Sequence, residues 1–112
     1  MSNVLIPWKT LSATVSLSQD SEDWTLATLP DPWPENGDGT RTYIHHVIFE
    51  SGFEYPPVIH LGLVGFDVDQ RASARIKLTT PLVTSVGFTV EITTWLNSKV
   101  YAVDFSWMAV GA

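Results

Sequence analysis

Cysteine is absent from the 112 residues, which excludes disulfide staples, thiolate nucleophiles and thiolate zinc sites together. Charge is scarce as well: 16% of residues are charged, and twelve acids against six bases leave a formal net charge of -6. Binding to nucleic acid depends on clustered Lys and Arg that displace counterions from phosphates, so the scattered bases predict no nucleic-acid partner. An anionic membrane surface is disfavoured for the same reason. No apolar run approaches the ~20 residues that a spanning helix needs, and no membrane insertion is expected. Met1 to Trp8 has neither the basic n-region nor the long apolar h-region of a secretory signal. A cytoplasmic protein or leaderless secretion, with action at a cell surface open to it, is the expectation.

Signatures of catalysis are missing too. There is no phosphate loop, nucleophile elbow, triad-like Ser/His/Asp grouping or histidine-rich metal motif. No cofactor, no metal and no enzymatic activity are expected. A small two-carboxylate glycosidase is the rival class, with Glu50 and Glu54 flanking a glycine turn, or Glu91 facing Asp104, as the conceivable pair. Asp67 and Asp69 lack the oxygen-rich loop of a calcium site and read as a solvated strand end. His45 and His46 are adjacent, so on a strand they point to opposite sides and cannot share a metal.

What remains is a chain that is 45% hydrophobic, rich in period-two alternation and without a sustained period of 3.6. Its length suits one core. Segments 12–17, 43–49, 75–80, 88–93 and 101–107 alternate as half-buried strands. Val58 to Phe66 is apolar on both phases, which predicts a central strand covered on both faces, begun by Pro56 and Pro57 and hinting at oligomer contact. His60 lies within it and reads as a structural histidine; if the strand lined a threefold axis, three copies would converge. Trp107 and Phe105 are assigned to the core. Fold class is therefore all-β, an antiparallel β-sandwich of about six strands in a single domain.

The segment from Leu29 to Gly39 holds three prolines and two glycines, which rule out regular structure and leave a long loop carrying Trp33, Asn36 and Asp38. Residues 1–35 are expected to form an N-terminal strand and loop packed on the sandwich of residues 36–112, with Trp8 and Trp24 against it. The most informative stretch is Gly87 to Tyr101, two alternating strands around a polar turn with large aromatics at the turn end. An exposed Trp and Tyr there, with a neighbouring Arg, suit a neutral polar ligand such as a sugar.

In order and spacing, Arg41, Ile48-Phe49, Tyr55-Pro56-Pro57-Val58, Phe66-Asp67-Val68-Asp69, Arg75, Gly87-Phe88, Thr94-Trp95, Val100-Tyr101 and Ser106-Trp107 resemble the H-type lectin domain of snail agglutinins and slime-mould discoidins. The resemblance covers roughly residues 36 to 110. It implies a β-sandwich that assembles as a homotrimer or trimer pair (a hexamer) and binds galactose or N-acetylgalactosamine on glycans without catalysis, as an agglutinin or cell-adhesion module. It also implies that Asp38 and Arg75 supply polar contacts, while Trp95 and Tyr101 come from a neighbouring protomer. Leu96 stands where the snail agglutinin has His, and Asn36 where it has Gly. These departures favour galactose-type binding over strict selection of the N-acetyl group.

Chemistry supports those roles. A carboxylate such as Asp38 accepts from an axial hydroxyl, the guanidinium of Arg75 donates to adjacent hydroxyls, and Trp95 or Tyr101 covers the C–H face of the ring. One such shallow site binds at about millimolar to micromolar, or ~4–8 kcal/mol. Linked sites on one oligomer add roughly two to four orders of magnitude. The competing readings are that Trp95 caps the core, that Arg75 pairs with Glu91 across strands, and that the chain is a structural trimeric adhesion or fibre-tip module without sugar binding.

Overall fold

Alternation decides which side of each strand is buried. In β5 (Gly87–Thr94), Phe88, Val90 and Ile92 turn inward while Thr89, Glu91 and Thr93 turn out. In β6 (Val100–Gly111), Val103, Phe105, Trp107 and Ala109 turn inward. The computed structural model, which describes residues 8–35 and 37–112, makes these two strands the centres of two antiparallel sheets. One has the order β1-β6-β3 and the other β2-β5-β4, with β1 Lys9–Ser18, β2 Arg41–Ile48, β3 Val58–Val68 and β4 Lys77–Val83. Their facing sides enclose the core, which Val47, Phe49, Phe53 and Leu26 complete. Phe49, Phe88 and Trp107 meet with ring centroids 5.2–5.9 Å apart. Such pairs contribute ~0.5–1.5 kcal/mol beyond the burial of their area.

β3 departs from the sequence expectation: among the described residues it is an edge strand, paired with β6 alone. Ile59 and Leu61 pack on the core as the inner phase. The outer phase, together with the bulge between Leu63 and Gly65, leaves Val58, Leu63, Val64 and Phe66 exposed. Two-sided hydrophobicity therefore marks a surface that a single chain leaves uncovered. His60 is likewise exposed, opposite Met108 on the outer face of its sheet. In β4 the register shift between Thr79 and Leu82 accommodates Pro81, tolerable because β4 too is an edge where a missing donor breaks no inner ladder.

β1 pairs with β6 from Lys9↔Gly111 to Ser18↔Ala102. Trp24 packs as expected: its Nε1 donates to Val100 O at 2.9 Å, and its ring centroid lies 4.9 Å from that of Tyr43. Trp8 does not; it precedes the first β1–β6 pair and is 78% exposed, with no sheet to lie against. The registers bring loops 19–40, 69–76 and 95–99 to one pole of the sandwich and loops 49–57 and 84–86 to the other. At that second pole Lys9 bonds to Ser51 and Gly52 and lies over the Phe53 ring.

Candidate functional site

A buried guanidinium organises the first pole. Arg41, 8% exposed, begins β2. It donates from Nε to Gly39 O (2.7 Å), from Nη1 to Thr28 O (2.9 Å) and Ser98 O (2.8 Å), and from Nη2 to Leu96 O (2.7 Å). Carbonyl dipoles from the 19–40 loop and the β5–β6 hairpin thus solvate a charge that no carboxylate neutralises among the described residues. The planar five-donor fork of arginine suits this task, which one ammonium cannot perform. Leu96 N closes the arrangement by donating to Asp38 O at 2.6 Å. Leu96 itself has φ 55°, a left-handed conformation unusual for leucine, held by those two backbone contacts.

The consequence is a shallow cavity of about 310 Å³ lined by Asp38, Thr40, Lys77, Thr93 and Trp95, at the lower end of small-molecule site volumes. Thr93 pairs with both Thr42 and Lys77 across the sheet. Trp95 lies two residues beyond Thr93, so it continues the outward side of β5. Asp38 is exposed, and Oδ1 accepts from Thr40 N (3.1 Å) and Thr40 Oγ1. The bond from the Thr40 hydroxyl holds its carboxyl below the usual carboxylate range. The acid is therefore ionised and oriented. Gly39, φ 74°, is buried under the Trp33 ring, where a Cβ would meet Cη2 at 2.4 Å. Trp33 thereby locks the loop that presents Asp38.

Of the residues expected to bind, Asp38 and Trp95 border this cavity together within one chain. Arg75 and Tyr101 stand outside its lining. Arg75 Nη1 donates to Asn97 Oδ1 (3.1 Å) and Ser98 Oγ (3.0 Å) at the hairpin turn, not to Glu91. Tyr101 donates to Asp69 Oδ2 at 3.3 Å, and Asp69 forms an ion pair with Arg71. Hydrogen bonds from Arg71 hold Asp69 well below the usual carboxylate range, so this carboxylate is already engaged. A second depression of about 190 Å³, lined by Leu29, Asp69, Arg71, Ala72, Asn97 and Lys99, adjoins it. Leu96 contributes its backbone and leaves its side chain exposed. Asn36 lies outside the described residues.

The rival Glu91–Asp104 pair does not form. Glu91 belongs to β5, between Ile44 and Thr79, whereas Asp104 belongs to β6 in the other sheet, so the two strands are not neighbours. Glu50 and Glu54 are exposed at the opposite pole. His45 faces inward against Phe105, with centroids 6.1 Å apart, and His46 outward against Thr89, as strand geometry requires. Sequence reasoning missed Thr40, Lys77 and Thr93 as lining residues. The available signal was spacing: Lys77 and Thr93 each lie two residues from a candidate site residue, on the same side of an alternating strand.

Comparison with known proteins agrees with this architecture. The H-type lectin domain family matches residues 44–110. Discoidin-2 of Dictyostelium discoideum is 26% identical over 110 residues, covering 96% of this chain and 43% of that protein. A Fuscovulum blasticum protein described as ATP synthase subunits region ORF 7 is 29% identical over 76 residues, covering 68% of this chain and 66% of its own length. The structure of wild-type discoidin II from Dictyostelium discoideum superposes with a TM-score of 0.75 at 25% identity, over 94% of this chain and 37% of that one. The chain thus spans less than half of the discoidins it matches.

Proposed function

The chain belongs to the H-type lectin domain family, a family of carbohydrate-binding lectins, and from that premise we propose that it binds galactose-type sugars, galactose or N-acetylgalactosamine, without transforming them. The observation that carries this reading is the shared cavity of Asp38 and Trp95. An ionised acceptor and an indole at one shallow opening are what a sugar with an axial hydroxyl and an apolar C–H face requires. Thr40 and Thr93 add hydroxyls that both donate and accept. Arg75, Leu96 and Tyr101 lie outside this lining in one chain and join the proposed site where protomers meet. Asn36 is kept in the proposed site from the family pattern alone, and a neighbouring protomer completes the contacts.

A single opening of this kind binds weakly, so function rests on several copies. The uncovered apolar strip of Val58, Leu63, Val64 and Phe66 along the β3 edge supports self-association as a homotrimer or trimer pair. A glycan array together with a solution mass tests both parts. Galactose- or N-acetylgalactosamine-terminated glycans retained by a particle of at least three times 12.4 kDa are expected. Binding confined to glucose- or mannose-type glycans, or a monomer that binds as strongly as any multimer, would refute the reading.

A further inference from the structure

The cavity contains a cation that a neutral sugar leaves unused. Lys77 is exposed at the start of β4, in register with Thr93, and lines the same 310 Å³ space as Asp38 and Trp95. Three other bases at this pole are engaged: Arg41 by backbone carbonyls, Arg71 by Asp69 and Arg75 by Asn97 and Ser98. Among the described residues Lys77 has no such partner: the ion pair there is Arg71–Asp69, and no side-chain hydrogen bond engages the Lys77 ammonium. Asp38 and Lys77 therefore border one opening without neutralising each other. Asp38 turns Oδ1 toward Thr40, which offsets part of its charge within its own loop.

We propose that this opening selects hexoses bearing an anionic substituent, a carboxylate or a sulfate, which Lys77 receives while Asp38 accepts from hydroxyls and Trp95 covers the ring. The inference rests on the lectin reading above and names the ligand class of that same site. The two charged groups divide the ligand between them: donors belong at the Asp38 and Thr40 side, and the anion at the β4 side, where Lys77 stands beside Thr93. Reversed, the anion would meet the Asp38 carboxylate, so the arrangement also fixes orientation and rejects ligands with the anion at the wrong carbon. Lys77 is exposed, so the gain is that of a solvated charge pair strengthened by a direct N–H···O bond. That predicts a preference of about threefold to tenfold over the neutral sugar, equal to ~0.7–1.4 kcal/mol.

The test is titration calorimetry of the full chain with galactose, galacturonic acid and galactose 6-sulfate at low and high salt. Tighter binding of at least one anionic sugar by threefold or more, shrinking toward parity at high salt, is expected. The two anionic arms tell which group is read. In Lys77→Gln the ratio of anionic to neutral affinity falls to one or below, and Lys77→Arg restores a preference above one; circular dichroism reports that both are folded. Equal or weaker binding of both anionic sugars, or an unchanged ratio in Lys77→Gln, overturns the inference while galactose binding keeps the lectin reading intact. Failure to bind any of the three sugars overturns both.

Discussion

Replacing Arg41 by Met removes the charge that joins the two loops of the proposed site while keeping much of the side-chain volume. Four N–H···O=C bonds are lost, to Gly39, Thr28, Ser98 and Leu96. The Thr28 and Leu96 carbonyls are partly exposed and regain water. Those of Gly39 and Ser98 are bonded in buried surroundings, where an acceptor left without a partner costs ~1–3 kcal/mol. Relief of the guanidinium's own desolvation offsets part of this, so the expected loss is ~2–4 kcal/mol. A domain of this size, stable by ~5–15 kcal/mol, remains folded. With a urea m-value of about 1–1.5 kcal/mol/M, the unfolding midpoint drops by roughly 2 M. Sugar affinity drops beyond detection, because the Asp38 loop and the Trp95 hairpin lose their common anchor. Arg41→Lys recovers only part of the midpoint, since one ammonium cannot span four carbonyls. A midpoint within about 0.5 M of the parent, with binding retained, would refute this account of the pole.

Other consequences are open to measurement. Gly39→Ala places a Cβ 2.4 Å from Trp33 Cη2 at a φ of 74°, so calorimetric unfolding registers a loss of at least ~1–2 kcal/mol, with weaker galactose binding as Asp38 shifts. His45 has its pKa lowered by burial and then by His46; neutral imidazole is favoured in the fold, so stability present above ~6.5 is lost as pH falls below that value. Melting temperature recorded from pH 7.5 to 5 falls for the parent, and His45→Phe, packed on Phe105, loses part of that slope. Phe66→Glu charges the β3 edge without entering the core, so light scattering reports a shift to monomer with an unchanged circular dichroism spectrum; an unchanged mass would remove the β3 strip as the contact.

The six strands of the described residues were legible in the sequence, five of them because one-sided alternation in stretches such as Phe88–Val90–Ile92 states both the element and its buried side. The position of β3 was not: Val58 to Phe66 is apolar on both phases whether its second face is covered within one chain or by another copy, and sequence does not distinguish the two. Asp38 and Trp95 stood in the family pattern, which implied that they come from different protomers, whereas one chain brings both to the same cavity. Arg41 stood in that pattern with no role, since a guanidinium that bonds only backbone carbonyls leaves no partner residue to read. Lys77 and Thr93 were passed over because surface lysines and threonines on strands are common, and their meaning comes from the register that sets them beside Trp95. The expectation that Trp8 would pack failed for a similar reason: it precedes the first β1–β6 pair, and register is not written in composition.

The most direct test is a crystal structure of the protein with galactose bound. The account predicts the sugar in the opening between Asp38 and Trp95, with a hydroxyl donating to the Asp38 carboxylate and the C–H face on the indole. Galactose ordered at another surface, with Asp38 and Trp95 bare, would contradict it.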